Sequence, residues 1–175
     1  MLYPGMLRSD GSESEHYVDA QQVNSAVMAM APTLMQLRAT NTTYINENEP
    51  ASQLAPAEGG DSNCAGRAPG CQAWPTMQEL HASGLCPLKN VSGGAIVVGC
   101  FVHESERGTQ AAILMNYEVM YNLFATIEFS DATNAREISQ VTGQDVKIVD
   151  SAPHMPGLQV LMRPGEGKLF VVRGK

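Results

Sequence analysis

Several features that would assign a function directly are missing from this chain of 175 residues. No apolar run approaches the roughly 18 residues that a membrane-spanning helix needs, and no signal-peptide pattern is present. The sequence also has no glycine-rich phosphate loop, no nucleophile elbow and no pair of histidines at metal-binding helical spacing. We therefore predict no catalytic residues, no cofactor and no metal site, and we expect a protein that is not an enzyme.

Basic residues are also scarce. Lys and Arg number 11 against 18 Asp and Glu, which gives a formal net charge of -7. A nucleic-acid partner would require a basic face that displaces counterions from phosphate, so this class of partner is excluded. The chain length suits a single domain, which we place at 14–175. The turn-rich segment 1–13 has no apolar period and is predicted to be a disordered or artificial tail.

One long segment, 14–38, keeps a single helical period in its apolar residues. These residues follow one another at steps of four, three, four and three, which aligns them on one side of an α-helix. We call them the apolar stripe: Val23, Val27, Met30, Leu34 and Leu37. The pattern predicts an amphipathic helix that packs on a sheet through this stripe. Pro32 removes a backbone donor, so we expect a kink or a break near Ala31.

The rest of the chain favours strands. A loop is predicted at 39–73, and Thr76 with Glu79 forms a capping box that starts a short helix at 77–83. A PGEG turn is predicted to join two late strands in a hairpin. Strands are predicted at 95–103, 111–117, part of 119–129, 146–149, 158–162 and 169–173, with a helix at 131–142. The predicted fold class is α+β, a long N-terminal amphipathic helix packed on an antiparallel sheet with short extra helices.

The four cysteines, Cys64, Cys71, Cys86 and Cys100, fall within 37 consecutive positions. Such clustering favours two disulfides in an oxidising compartment, and three pairings are possible. We favour Cys64 with Cys71 and Cys86 with Cys100.

The alternative is a small soluble cytosolic α+β domain, with a binding or enzymatic role, that has free thiols or a zinc site. The zinc ligands would then be His81, Cys86, Cys100 and His103, although their spacing does not repeat as it does in structural zinc sites.

Two stretches, EHYVDAQQVNSAVMAMAPTLMQLRATNTTYI and WPTMQELHASGLCP, together resemble the type IV pilins and pseudopilins. In that family a long N-terminal helix, whose first half is a membrane anchor, continues into an amphipathic half that packs on an antiparallel sheet. The resemblance implies a structural subunit, either a pilin, a minor pilin or a pseudopilin, of an extracellular filament or a secretion or uptake machine. Its partners would be other copies or related subunits of the filament.

The same resemblance implies a location outside the cell, on the cell surface or in the periplasm. The apolar, glutamate-containing N-terminus of the family is absent from this chain, so the native anchor or leader is expected to be missing. Membrane contact would occur only through that missing anchor.

Overall fold

The structure is a computed structural model, and it describes residues 10–46, 75–118 and 120–174. It confirms the predicted α+β class, since an N-terminal helix is followed by antiparallel strands and one short further helix in this part of the chain. The elements in chain order are α1 (Glu15–Leu34), β1 (Leu37–Ile45), α2 (Met77–Ala82), β2 (Leu88–Ser92), β3 (Ile96–His103), β4 (Gln110–Asn116), β5 (Leu123–Phe129), β6 (Ala135–Ile138), β7 (Asp145–Val146), β8 (Leu158–Met162) and β9 (Gly167–Val172).

The strands form two sheets, a six-stranded sheet in the order β1-β3-β4-β9-β6-β7 and a three-stranded sheet in the order β2-β5-β8. Successive side chains of a strand point to opposite faces, so every second residue enters the space between the sheets. Strand β5 follows this rule, since Leu123, Ala125, Ile127 and Phe129 are buried and alternate with more exposed residues. The main core lies between the two sheets and includes Phe170 and Leu88, both fully buried.

The opposite face of the six-stranded sheet carries a smaller core. Met30 of α1 packs there with Ala111, Ile138, Leu169 and Val171. The molecule therefore has three layers, in which the end of α1, the larger sheet and the smaller sheet follow one another.

Helix α1 is shorter than predicted. It begins after Ser14, whose hydroxyl accepts a hydrogen bond from the Tyr17 amide at 3.4 Å, and it ends at Leu34 rather than at residue 38. Pro32 lies inside the helix, two residues before its end. A proline has no N–H and weakens the turn that precedes it, which favours a helix end soon after this position. Leu37, the last member of the apolar stripe, belongs to β1, where it lies opposite His103.

The short helix α2 has the predicted capping box. The Thr76 hydroxyl accepts a hydrogen bond from the Glu79 amide at 3.2 Å, and the Glu79 carboxylate accepts one from the Thr76 amide at 2.7 Å. This backbone hydrogen bond from Thr76 is the main reason that the pKa of Glu79 lies below its ordinary value. Leu80 is buried between the sheets, and Gly84 ends the helical segment with a φ of 68°.

The predicted helix at 131–142 is wrong. The Asp131 carboxylate accepts hydrogen bonds from the amides of Thr133 at 3.1 Å and Asn134 at 3.3 Å, which makes a turn rather than a first helical turn. Strand β6 follows at once and pairs with β9. Asp131, Thr133 and Asn134 have low helix propensity, and β9 supplies the backbone partners that make the extended form of β6 stable.

The predicted hairpin of strands 158–162 and 169–173 is also wrong. The turn itself is tight, since the Glu166 carboxylate accepts a hydrogen bond from the Arg163 amide at 2.7 Å and Gly165 has a φ of 68°. However, β8 joins the three-stranded sheet and β9 joins the six-stranded sheet. The chain passes from one sheet to the other here because both strands contribute apolar side chains to the core between them.

Other boundaries differ in detail. Part of the predicted loop 39–73 is strand β1, while residues 47–73 lie outside the described part of the chain. Strand β2 was not predicted, and of the predicted strand 146–149 only Val146 is in a strand. Of the predicted tail, residues 1–9 are outside the described part.

A buried polar side chain, Asn116, lies at the end of β4. Its amide nitrogen donates hydrogen bonds to the carbonyl oxygens of Tyr121 at 3.1 Å, Met162 at 3.3 Å and Arg163 at 3.0 Å. Its side-chain oxygen accepts one from the Glu118 amide at 2.8 Å. The residue is 1% exposed, so one side chain connects the end of β4 with the end of β8 and the loop before β5.

We expect Asn116→Asp to destabilise the fold by about 3–5 kcal/mol at neutral pH, because the carboxylate oxygen that replaces the amide nitrogen would face three carbonyl oxygens and no donor. Burial raises the pKa of such an aspartate above its unfolded value of about 3.9, so the deficit is smallest below that pH and grows as the pH rises. Urea unfolding of variant and parent at matched pH measures this effect. The exposed Asn122→Asp is the control, and an equal loss in both variants would contradict the assignment.

Candidate functional site

A disulfide between Cys86 and Cys100 joins the segment after α2 to the middle of β3. The predicted pairing of these two cysteines is thus confirmed. The Cα atoms are 5.1 Å apart, and the two residues are 3% and 0% exposed, so the bond lies inside the core between the sheets. Cys64 and Cys71, the other predicted pair, lie outside the described residues.

The disulfide removes the zinc and thiol hypotheses for these two cysteines, because neither sulfur is a thiolate. His81 is exposed on α2. The His103 ring is 2.8 Å from the Gln36 side-chain oxygen, and its Nδ1 accepts hydrogen bonds from the amides of Ser105 at 3.1 Å and Glu106 at 2.9 Å. Within the described ranges, no group of three or more His, Cys, Asp or Glu residues is placed to hold a metal ion.

The apolar stripe is divided into two parts with different surroundings. Met30 is 9% exposed, and Leu34 and Leu37 pack partly buried against the same smaller core. Val23 and Val27 are instead 62% and 47% exposed, so the prediction that they pack on the sheet is corrected. The helix rests on the sheet near its C-terminal end, because the apolar residues that receive it are those around Met30.

The backbone of α1 also contacts the turn between β6 and β7. A Cβ atom added to Gly143 would lie 2.1 Å from the Ala29 carbonyl oxygen, and Gly143 has a φ of 69°. Only glycine allows both this conformation and this close approach. The contact therefore holds α1 against this turn at Ala29, the residue before Met30.

Several exposed large side chains were not recognised in the sequence. They lie on the loop between β4 and β5 and on the adjoining strands: Tyr117 (59% exposed), Met120 (72%), Tyr121 (70%), Phe124 (47%) and Leu161 (38%). The Tyr117 ring packs edge-to-face on Tyr44 of β1, with the ring centroids 5.4 Å apart. Phe124 and Leu161 lie directly opposite each other on β5 and β8, in the smaller sheet.

A cluster of charged side chains lies where β9 ends, beside β7 and the turn between β3 and β4. The Arg173 guanidinium donates hydrogen bonds to the carboxylates of Asp145 at 2.8 Å and Glu106 at 3.1 Å. The hydrogen bond with Asp145 is the main reason that the pKa of Arg173 lies above its ordinary value. All three side chains are partly exposed, so the cluster is a surface ion pair of modest energy and is not a catalytic arrangement.

The fold and the site together define an α+β domain with an N-terminal helix, two antiparallel sheets and a buried disulfide. Comparisons with protein-family models, with curated proteins and with solved structures give no match. None of the helices in the described residues is long and apolar enough to cross a membrane. The disulfide is typical of an oxidising location outside the cytoplasm.

We expect the double variant Cys86→Ala, Cys100→Ala to lose about 3 kcal/mol of unfolding free energy, because the bond closes a loop in the unfolded chain with a sequence separation of 14. Urea unfolding with and without reductant measures this loss. The parent in reductant should approach the double variant. A parent that keeps its full stability after complete reduction of this bond, verified by mass spectrometry, would contradict the expectation.

We expect Gly143→Ala to destabilise the fold by more than Gly165→Ala does. The two glycines have nearly equal φ values, 69° and 68°, so both variants have the cost of a left-handed alanine, about 1–2 kcal/mol. Only at residue 143 does the new Cβ meet the α1 backbone, whereas nothing lies within 4 Å at residue 165. Equal losses in urea unfolding would show that the contact with Ala29 does not stabilise the docking of α1.

Proposed function

We propose that the chain is a structural subunit, either a pilin, a minor pilin or a pseudopilin, of an extracellular filament or of a secretion or uptake machine. The observation that carries the proposal is the arrangement of α1, which packs on the sheet at Met30 and leaves Val23 and Val27 exposed. A helix whose apolar face extends beyond its own domain is suited to contacts between subunits.

One further observation supports this function. The buried Cys86–Cys100 disulfide is consistent with a protein at the cell surface, in the periplasm or outside the cell, where thiols are oxidised.

The cytosolic alternative with free thiols has less support. It would require Cys86 and Cys100 as thiols or as zinc ligands, and these two residues are bonded to each other. The alternative predicts one zinc ion per chain, or alkylation of both cysteines in protein taken directly from cells.

The test is performed in cells that make the protein, with an epitope tag at its C-terminus. Surface filaments are removed by shearing, and sheared, periplasmic, membrane and cytosolic fractions are probed for the tag. We expect the chain in the sheared or envelope fractions, with Cys86 and Cys100 resistant to alkylation before reduction. The double variant Cys86→Ala, Cys100→Ala is the control for the alkylation peptides. Recovery in the cytosolic fraction with both cysteines alkylated would contradict the proposal.

A further inference from the structure

The smaller sheet has a notch where β5 extends beyond β8. The first residue of β8, Leu158, lies opposite Ile127, while β5 continues to Phe129. In the described part of the chain, no strand therefore pairs with Glu128 and Phe129 on the β8 side. A cavity of about 480 Å³ lies here, which we call the notch cavity, and its volume is within the range of about 300–1,000 Å³ that small-molecule sites have. It is lined by residues 126–129 of β5 and by Asn90, Ala132, Gly157 and Leu158.

Two loops form the walls of the notch cavity, and local contacts hold both of them. Before Ala132, the amide and the hydroxyl of Ser130 both donate to the Pro87 carbonyl oxygen, at 2.8 and 3.0 Å. On the other side, Gly157 has a φ of 81°, and a Cβ atom added to it would lie 2.8 Å from the Thr126 side-chain methyl. Glycine is therefore needed for this loop to approach the strand. The cavity is thus formed before any ligand binds, which lowers the entropy cost of binding.

The polar groups of the notch cavity come from two neighbouring strands. Asn90 of β2 and Glu128 of β5 are directly opposite each other, so their side chains leave the same face of the sheet with Cβ atoms about 5 Å apart. Both residues are exposed. Among the described residues, the Asn90 side chain has no hydrogen-bond partner, and the Glu128 carboxylate has one ion pair, with Lys89 at 3.5 Å. An amide and a carboxylate are therefore available side by side.

The charges at the notch cavity select against an ionic ligand. Lys89 balances Glu128, so an anion such as a phosphate would meet a cation that is already paired, and a cationic ligand would meet a carboxylate that is already neutralised. The Asn90 amide offers both a donor and an acceptor, and the carboxylate offers acceptors. A hydroxyl group also donates and accepts. Neighbouring hydroxyls of one ligand can therefore bond to the amide and the carboxylate together.

We propose that the notch cavity binds one ring of a neutral saccharide, with adjacent hydroxyls on Asn90 and Glu128. The apolar C–H groups of the ring pack on Leu158 and Ala132, since ligand sites combine apolar lining with a few polar groups. The ring comes either from a free sugar or from a glycan chain, which share this chemistry. The inference goes beyond the proposed subunit function and does not depend on it.

Titration of the full ¹⁵N-labelled chain with sugars, followed by NMR of its amides, tests the proposal. The probes are glucose, galactose, mannose and N-acetylglucosamine, and glycerol is the control for unspecific effects of hydroxyls. We expect saturable shifts with at least one sugar at residues 88–92, 126–132 and 157–158, with a Kd of about 1 mM because the site offers few hydrogen bonds. Glycerol should give only linear shifts. The inference would be overturned by the absence of saturable shifts with all four sugars, by saturable shifts only outside these residues, or by glycerol saturating like the sugars.

Variants of the two polar side chains locate the binding site. Asn90→Ala and Glu128→Ala should each weaken the binding of that sugar by on the order of tenfold, because each removes hydrogen bonds to a hydroxyl. Asn122→Ala, at an exposed residue in the loop between β4 and β5, is the matched control and should leave the affinity unchanged. The amide spectra show directly that each variant is folded. Unchanged affinity in both folded cavity variants would contradict the assignment.

Charged and linked forms of the same sugar test the class of ligand. Its 6-phosphate and its 2-amino form should bind no more tightly than the neutral sugar, and tighter binding of either would overturn the assignment to a neutral ligand. The methyl glycoside distinguishes the two sources. Binding of the glycoside at least as tight as that of the free sugar supports a ring within a glycan chain, whereas a preference for the free sugar supports a free ligand.

Discussion

The two sheets are joined at the point where the chain passes between them, and the buried amide of Asn116 lies at that point. Three passages meet there, from β2 to β3, from β4 to β5 and from β8 to β9. The Tyr117 amide donates to the Ala95 carbonyl oxygen at 2.9 Å, and the Gly165 amide donates to the Asn116 carbonyl oxygen at 3.1 Å. These hydrogen bonds give backbone groups of the three passages partners within the protein where regular pairing in the sheets ends.

A covalent bond and apolar packing hold the sandwich together farther along β3. The disulfide joins the segment after α2 to the middle of β3, and Leu80 of α2 enters the core between the sheets. The body of the molecule is thus held at two places, by polar contacts at Asn116 and by the disulfide at Cys100. The C-terminal part of helix α1 is held on the larger sheet by Met30 and by the close approach of Gly143.

The sequence predicted the elements whose cause is local. The capping box of Thr76 and Glu79 needs only two residues that are three apart. The apolar, β-branched run of β3 favours a strand whichever strands pair with it. Strands β1 and β6 depend on partners instead. The sequences of β1 (LRATNTTYI) and β6 (AREI) carry little apolar alternation, and these strands are extended because β3 and β9 supply hydrogen bonds. The division into two sheets was likewise not visible, because the PGEG turn is equally compatible with a hairpin and with a passage between sheets.

The exposed surfaces could likewise be predicted only in part from the sequence. The apolar stripe was recognised from its period, but a period does not tell how far a sheet extends beneath a helix, so the exposure of Val23 and Val27 could not be predicted. The exposure of Tyr117 and Tyr121 was missed because both residues also fit a strand, and their loop is shaped by Asn116, a polar residue that no apolar pattern identifies. The clustering of the cysteines predicted disulfides, but it left three pairings possible, and the structure shows the favoured pairing of Cys86 with Cys100.

Pro32 gives the helix a mechanical property that neither packing nor exposure describes. Because proline has no N–H, the Met28 carbonyl oxygen lacks the hydrogen bond that the helix would otherwise give it, and the proline ring crowds that same carbonyl. Met28 is 72% exposed, so water can replace the missing donor. Bending therefore costs least between residues 28 and 32, where the helix meets the sheet.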